Sequence, residues 1–455
     1  MPIEIVILAA GQGTRMRSTL PKVLHDLGGR PLLGHVMDTA AVLNPTRLCV
    51  VYGHGGDTVM STFADRDATW VHQSEQRGTG HAVLQAAPHL SDEAVVLILF
   101  GDVPLVRSET LEAAAAIASQ DKLAVVSAMV ADPTGYGRVI RDANDSVVAI
   151  REHKDASSAE LAIREINTGI MAAPVNRLRG WLEGLTNDNA QGEYYLTDAV
   201  EAALADGVAI EASVVLDEDE VSGVNDRVQL ARLERAYQHR EAERLMRAGV
   251  SLRDPTRFDV RGTVEAGTEV SIDVNVVLSG RVTLGTGVRI GPNCVVSDTN
   301  IGDGVEILAN CVIESASIAA GARVGPFARV RPEADLGPDV HVGNFVEIKK
   351  SVLKRGAKVN HLTYIGDSEV GERVNVGAGT ITCNYDGANK HRTTIEDDAF
   401  IGSGAMLVAP VTVGAGATIG AGSTISRDAP ANELTVARGK QRSISGWQRP
   451  VKNKK

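Results

Sequence analysis

Aromatic residues make up only 4% of this 455-residue chain. A sandwich core leans on Trp and Tyr for volume, so this scarcity favours narrow cores filled by Val, Ile and Leu. Cysteine is equally sparse. Cys49, Cys294, Cys311 and Cys383 stand far apart in the sequence with no CxxC pair, which excludes a zinc ribbon or a disulfide framework and reads as reduced, cytosolic thiols. No apolar run approaches the ~18 residues of a membrane span, and Glu4 stands where a signal peptide would want a basic flank. A soluble, cytoplasmic protein is expected, without membrane partners. Positive charge is in deficit, with 46 Lys and Arg against 57 Asp and Glu and a net charge of −11. That balance argues against a nucleic-acid binder held by phosphate neutralisation, although the end from Arg449 to Lys455 is locally basic and reads as solvated. The length predicts two or three domains, and 44% apolar residues suffice for sizeable cores.

What is abundant is a repeat. From about Gly262 to Arg427 an aliphatic residue followed by a small one returns at multiples of about six positions: Ile290-Gly291, Ile301-Gly302, Val324-Gly325, Leu336-Gly337, Val342-Gly343, Ile365-Gly366, Val376-Gly377, Ile401-Gly402, Val413-Gly414, Ile419-Gly420. Each unit offers one aliphatic side chain inward and one small residue at a tight corner, so three units close one turn of a parallel β-helix. At ~18 residues per coil the stretch holds about nine or ten coils. An antiparallel sandwich is the competing fold, and the persistence of the six-residue register weighs against it.

The first half is patterned differently. Ile3 to Leu8 reads as a buried strand that runs into Ala9-Ala10-Gly11-Gln12-Gly13-Thr14-Arg15. Gly11 and Gly13 let backbone N–H groups approach phosphate oxygens, while Arg15 and Lys22 add cations. A dinucleotide fold competes, but Met16 stands where the third glycine would be and no acidic residue ends the strand near Tyr52. Strand-like runs at 48–52, 69–72, 94–100 and 124–130 alternate with helical ones at 33–43 and 80–87, which predicts a mostly parallel sheet covered by helices. Asp102 follows the most apolar strand, where ligands of open α/β sheets gather, and could hold Mg²⁺ beside a triphosphate, or merely cap a turn. Gln73 and the loop Gly78-Thr79-Gly80-His81-Ala82 offer amide and backbone groups able to read a base edge.

From Asp226 to Ala248 the chain turns helical and charged, with Leu230, Leu233, Tyr237 and Leu245 forming a thin stripe and Gly249 placed to cap the end. The expected organisation is therefore a domain over 1–225, a linker helix over 226–250 and the repeat domain over 251–455. Within the repeat, Arg355 to Asp367 and Thr382 to Arg392 are expected to break the six-residue beat, and binding loops of solenoids sit at such interruptions. Arg331, Lys349, His361, Tyr364, Asn375 and Asn384 collect there. Acyl transfer to an amine needs a base near neutral pH, which an imidazole supplies, and Arg331 with Lys349 could hold a sugar phosphate. A lone His is also a common surface residue.

The segments LAAGQGTRM, LPK, QRGTGHA, FGDVPL, GYGRVI, EHKDA, INTGI, QGEYYLTD and GVNDR, followed by NFVEIKK, NHLTYIGD and NVGAGTITCNYDGANK, span nearly the whole chain. In order and spacing they resemble the bacterial family that is both N-acetylglucosamine-1-phosphate uridyltransferase and glucosamine-1-phosphate N-acetyltransferase. The resemblance implies a Rossmann-like nucleotidyltransferase domain, a linker helix and a left-handed parallel β-helix of hexapeptide repeats. It implies that Leu8, Ala9, Ala10, Gly11 and Lys22 take the nucleotide, that Gln73, Gly78 and Thr79 hold uracil, and that Asp102 and Asn225 hold Mg²⁺. Gly137, Glu152 and Asn167 would then bind the sugar, although Glu152 could equally belong to a solvated charged face. In the second half the resemblance implies His361 as base, with Arg331, Lys349, Tyr364 and Asn375 on the acceptor sugar phosphate. Acetyl-CoA would lie along Ala378, Asn384, Tyr385, Ser403, Ala421 and Arg438. It also implies a homotrimer whose neighbouring prisms share acetyltransferase sites.

The expected function is a two-site enzyme. Glucosamine 1-phosphate is acetylated from acetyl-CoA, and N-acetylglucosamine 1-phosphate then takes uridylyl from UTP to give UDP-N-acetylglucosamine and pyrophosphate, feeding peptidoglycan and other cell-envelope polysaccharides. Arg15 and Lys22 are the candidate catalytic cations of the second step, and no role is assigned to His391. Two rivals remain: a nucleotidyltransferase whose β-helix only assembles or regulates, and a scaffold that kept both folds without chemistry.

Overall fold

The computed structural model describes residues 1–450 and 452, so positions 451 and 453–455 of the basic end lie outside the described residues. The chain forms two compact units, Met1–Gln238 and His239–Lys455. The segment expected to be a linker is the helix Arg227–Arg247, whose first half belongs to the first unit and whose second half belongs to the second.

In the first unit, β1 (Ile3–Ala9) is buried along nearly its whole length. Ile5, Ile7 and Ala9 enter one apolar core while Val6 and Leu8 enter another, so both faces of the sheet are covered. Two covered faces explain why the strand is a continuous apolar run. The other main strands are β2 (Arg47–Tyr52), β3 (Thr69–His72), β4 (Val95–Phe100), β5 (Leu123–Met129), β6 (Glu165–Pro174) and β7 (Ile210–Val215), in the order β7-β5-β6-β4-β1-β2-β3. Helix α1 (Leu32–Val42) lays Leu33, Val36, Met37 and Ala40 on the first core, and α2 (Thr79–Ala86) lays Ala82, Val83 and Ala86 on the second. These spacings keep one helical face apolar.

Neighbouring strands are parallel except where β6 meets β4 and β5, which it joins antiparallel. The expected parallel sheet thus carries one reversed strand in its middle. Its register with β5 shifts between Asn167 and Met171, around Gly169 at φ +85°. Such a bulge re-aims side chains at the rim of a sheet.

The second unit is a coil of short strands, and every strand pairing along it is parallel, which removes the antiparallel sandwich. One face is an eleven-stranded ladder. Along it Ile272, Ile290, Ile307, Val324, Val342, Val359, Val376, Ile401 and Ile419 are in register and buried. Burying each such side chain contributes about 1.5–3 kcal/mol, and each coil depends on its neighbours for that burial. The small corner residues are forced: a Cβ on Gly343 would stand 2.0 Å from Asn360 O of the next coil.

Only one of the two expected interruptions exists. Arg355 to Asp367 runs as a regular coil, with Lys358–His361 paired to His341–Asn344 and Tyr364–Gly366 paired to Glu347–Lys349. There the backbone keeps its path while Asn360 replaces the small corner residue. Thr382 to Arg392 does leave the coil, stretching a step that is elsewhere 16 to 18 residues to 25, and closes on itself through a Tyr385–Lys390 bridge. The coil also places Cys294 and Cys311 on successive turns as buried free thiols that donate to backbone carbonyls, Cys294 to Leu308 O at 3.1 Å and Cys311 to Val324 O at 3.8 Å. Among the described residues no helix is long and apolar enough to cross a membrane.

Candidate active sites

At the carboxyl ends of β1 and β4 the first unit opens a cavity of about 420 Å³. Leu8, Ala9, Ala10, Gly11, Lys22, Gln73, Gly78, Thr79, Asp102 and Asn225 all line it, so ten residues predicted for nucleotide and metal share one wall. Parallel strands end there with their loops on one side, which is why residues 8 and 225 can meet. Lys22 Nζ donates to a carboxylate oxygen of Asp102 and to Asn225 Oδ1, the latter at 3.3 Å. Its side chain and that of Asp102 are mostly buried, at 13% and 16% exposure. Gly13, at φ +62°, is needed to make room: a Cβ there would lie 2.6 Å from Lys22 Cβ. Arg15 stands exposed on the turn Thr14–Met16 and is not part of the cavity wall.

A second cavity of about 210 Å³ shares Thr79, Phe100, Tyr136 and Thr168 with the first and adds Gly137, Glu152 and Asn167. The β6 bulge shapes it. Asn167 N donates to Gly137 O at 2.9 Å, and Asn167 Oδ1 accepts from Gly169 N at 3.1 Å. Glu152 is no solvated charge. Burial, reinforced by the nearby charges of Asp198, Asp155 and Glu193, holds its carboxyl above the usual range, while a 3.2 Å hydrogen bond from Thr197 opposes the shift. Tyr136, Thr168, Thr197 and Glu193 were not assigned from the sequence, because a bulge and a long return loop bring them in.

On the coil, five residues occupy equivalent places on successive turns: Asn344, His361, Ala378, Ser403 and Ala421. Their carbonyls accept in the same pattern for the first four, from Leu362 N, Gly379 N, Gly404 N and Gly422 N. Arg438 Nη1 reaches the fifth carbonyl, Ala421 O, at 2.8 Å. The predicted base and three of the predicted acetyl-CoA residues therefore form one column along the prism, with a fourth, Arg438, at its end. Parallel strands sit about 4.8 Å apart, so the column supplies a straight rail for an extended ligand. Asn344, which the sequence reading left without a role, pairs its Oδ1 with His361 Nδ1 at 2.8 Å. An amide oxygen accepts, so in the neutral ring Nδ1 carries the proton and the lone pair lies on Nε2.

Around the corner, Arg331 Nη1 meets Glu347 Oε1 at 2.7 Å, and Asn384 Nδ2 donates to Tyr364 Oη at 3.4 Å and to Asp367 Oδ2 at 2.5 Å. Lys349 touches Lys390, another residue given no role in the sequence, and this like-charged contact lowers the Lys390 pKa. Two ammonium groups side by side make an anion site. Asn375 lies on the eleven-stranded face, paired with Lys358 and Phe400, away from that cluster in register. Tyr385 is exposed in the inserted loop. His391 acts within the same loop, bonding Asp386 at 2.7 Å. Backbone N–H groups of Asn389 and Ala388, with His391, hold the Asp386 carboxyl far below its usual range. Among the described residues, the cavity that contains His361, about 370 Å³, takes in Asn344 and Asn360 but none of Arg331, Lys349 and Tyr364.

Comparison with known proteins bears on both units. Residues 5–165 match the MobA-like NTP transferase domain, and residues 392–427 match the bacterial transferase hexapeptide family of six repeats. Over its whole length the chain is similar to proteins called Bifunctional protein GlmU. The one from Azoarcus sp. (strain BH72) is 56% identical over 455 residues, covering 99% of this chain and 100% of that protein. Those of Alkalilimnicola ehrlichii and Methylococcus capsulatus are each 58% identical, covering 98% and 100% of this chain and 96% and 99% of theirs.

Proposed function

The chain belongs to the GlmU family of bifunctional proteins, and on that premise we propose that it makes UDP-N-acetylglucosamine in two steps at two sites. The observation that carries this is the presence, in one chain, of a cation–oxygen cluster at the end of β4 and of an imidazole with an oriented free nitrogen on a hexapeptide coil.

On the coil, the uncharged amine of glucosamine 1-phosphate attacks the thioester carbonyl of acetyl-CoA. The C–N bond forms, the C–S bond breaks, His361 Nε2 takes the amine proton and the coenzyme leaves as its thiol. Arg331, Lys349 and Lys390 suit the sugar phosphate, and the column through Ala378, Ser403 and Ala421 suits the coenzyme, with Arg438 at its end. In the first unit, a phosphate oxygen of N-acetylglucosamine 1-phosphate attacks the α-phosphorus of UTP, and pyrophosphate departs. That step needs positioning and charge neutralisation, which Lys22 provides within the cavity and Arg15 from its rim loop. Gln73, Gly78 and Thr79 take uracil, and Gly137, Glu152 and Asn167 take the sugar.

Asp102 and Asn225 fit a magnesium site, because their oxygens already converge on one cation, Lys22 Nζ. Two oxygen ligands beside substrate phosphates are what Mg²⁺ takes, and when bound it neutralises phosphate charge. The working form we infer is a homotrimer. Phe327, Phe345 and Leu362 follow one another on successive coils beside the His361 column, 50%, 56% and 62% exposed, each at positive φ. Large apolar residues in a left-handed backbone are costly unless something over-determines them, and a neighbouring copy covering this edge would also bring a second wall to His361. Four free thiols support a reducing, cytoplasmic setting.

The test is to incubate the purified protein with glucosamine 1-phosphate, acetyl-CoA, UTP and Mg²⁺ and to measure free thiol and pyrophosphate separately. Both should appear, and a chelator should stop pyrophosphate release while thiol release continues. Thiol without pyrophosphate, or equal sensitivity of both to chelator, would overturn the assignment.

A further inference from the structure

Gln73 is 3% exposed, follows β3 and lines the first cavity. Its amide nitrogen lies 3.2 Å from Gly78 O and 3.0 Å from His81 Nδ1. A backbone carbonyl can only accept, so the group facing Gly78 O is the NH₂, and its second N–H is aimed at the imidazole. His81 Nδ1 is therefore the lone-pair nitrogen and the ring proton sits on Nε2. Burial and the charge of Arg77 lower the basicity of His81 against the opposing pull of Glu75, a shift in the direction of this neutral form. On its other side stands Gln85, whose amide is 3.3 Å from His81 Nε2. A neutral imidazole has one donor and one acceptor, so two amides cannot both offer it NH₂. Gln73 is buried and tied to Gly78 O. Gln85 is only half-buried, keeps its donor on His81 O of its own helix at 3.3 Å and reaches Nε2 no closer than 3.3 Å, so the shorter, buried Gln73 contact decides the tautomer and the Gln85–Nε2 contact is the one given up.

One consequence concerns the cavity. With both N–H groups engaged, Gln73 meets a ligand through Oε1, which receives no hydrogen bond among the described residues. An acceptor there pairs with a base whose facing edge donates, as the imino N–H of uracil does, and opposes the lone pair that cytosine carries at the same ring position. We propose that His81 is a specificity-positioning residue: by accepting from Gln73 it locks the carboxamide so that only its oxygen faces the base, and so selects uracil over cytosine. The inference rests on the assignment of Gln73 to the base. Without His81 the amide keeps one anchor, Gly78 O, and gains freedom to rotate and offer NH₂ instead.

The experiment measures kcat/KM for UTP and for CTP, with N-acetylglucosamine 1-phosphate, in the full-length protein and in His81→Leu, His81→Asn and Gln73→Ala. Where CTP turnover falls below detection, its inhibition constant against UTP replaces it. His81→Leu should lower the UTP-to-CTP ratio about 3- to 10-fold, the worth of one hydrogen bond. His81→Asn, whose Oδ1 can accept where Nδ1 did, should retain most of the ratio. A merely structural role would depress both nucleotides together and leave the ratio unchanged in His81→Leu, and that result overturns the proposal. Gln73→Ala separates the two levels. If it leaves the ratio at the wild-type value, the base contact itself is wrong; if it collapses the ratio while His81→Leu does not, only the role of His81 falls.

Discussion

Replacing Asn344 by alanine should slow acetyl transfer through His361 alone. Asn344 and His361 face each other on adjacent parallel strands, and the 2.8 Å bond from His361 Nδ1 to Asn344 Oδ1 is the only protein hydrogen bond to that ring among the described residues. Removing it frees the exposed imidazole to rotate and to exchange its proton between nitrogens, so the free lone pair points at the amine for a smaller share of the time. A net hydrogen bond is worth ~0.5–1.5 kcal/mol, which at 1.36 kcal/mol per decade is about a two- to thirteen-fold loss in kcat. Deleting the base itself, in His361→Ala, should cost about 10²- to 10⁴-fold. Asn344 acts through His361, so in a His361→Ala background Asn344→Ala should add almost nothing. The assay is thiol release from acetyl-CoA at saturating glucosamine 1-phosphate for the wild type, both single variants and the double variant, with pyrophosphate release as the unaffected control. Equal losses from Asn344→Ala with and without His361 would refute the reasoning, as would a loss as deep as that of His361→Ala.

Three further outcomes are expected. The raised carboxyl of Glu152 means that ionising it costs folding stability; the penalty is absent below the ordinary carboxylate pKa and complete above the raised one. Glu152→Gln should therefore raise the melting temperature at neutral pH, with a gain that fades on acidification, while the KM for N-acetylglucosamine 1-phosphate rises; a gain independent of pH would contradict this. Asp102→Ala and His361→Ala should each abolish one activity and spare the other, and mixing the two proteins should restore conversion of glucosamine 1-phosphate to UDP-N-acetylglucosamine, followed by chromatography of the products. Loss of both activities in each folded variant would point to one shared site. Phe345→Asp should convert the proposed trimer to smaller species in light scattering and reduce thiol release far more than pyrophosphate release; an unchanged mass would remove the edge Phe327, Phe345 and Leu362 from the proposed subunit contact.

Periodicity, loop chemistry and strand ends were legible from the residues alone. A two-residue aliphatic–small pair repeated over coils has one stable closure, because the aliphatic chains must stack and the corner leaves no room for a Cβ, as at Gly343. Likewise, the run Ile3 to Leu8 followed by glycines marks a buried strand opening on a phosphate-sized loop, and that strand spans Ile3–Ala9 with its loop on the cavity wall. Those signals are local, so the chain order carries them. The supposed break at Arg355 to Asp367 misled because side-chain identity at Asn360 changed while the backbone register, set by hydrogen bonds to the coil before, did not.

Only the tertiary structure decided the rest. Asn344 becomes the partner of His361 because a coil of 17 residues puts them in register, a relation invisible without the turn length. His81 meets Gln73 because a helix starts at Thr79 just beyond a glycine held at φ +109°, where a Cβ would lie 2.5 Å from Tyr194 O. The antiparallel β6, its bulge at Asn167 and the pairing of Lys22 with Asp102 and Asn225 depend on contacts from 36 to 203 positions apart in the chain. Sequence order alone determined which chemistry the chain can present, since residue types and short spacings set donors, charges and periods. Folding determined which of those groups share a wall, because that depends on how strands stack and loops close.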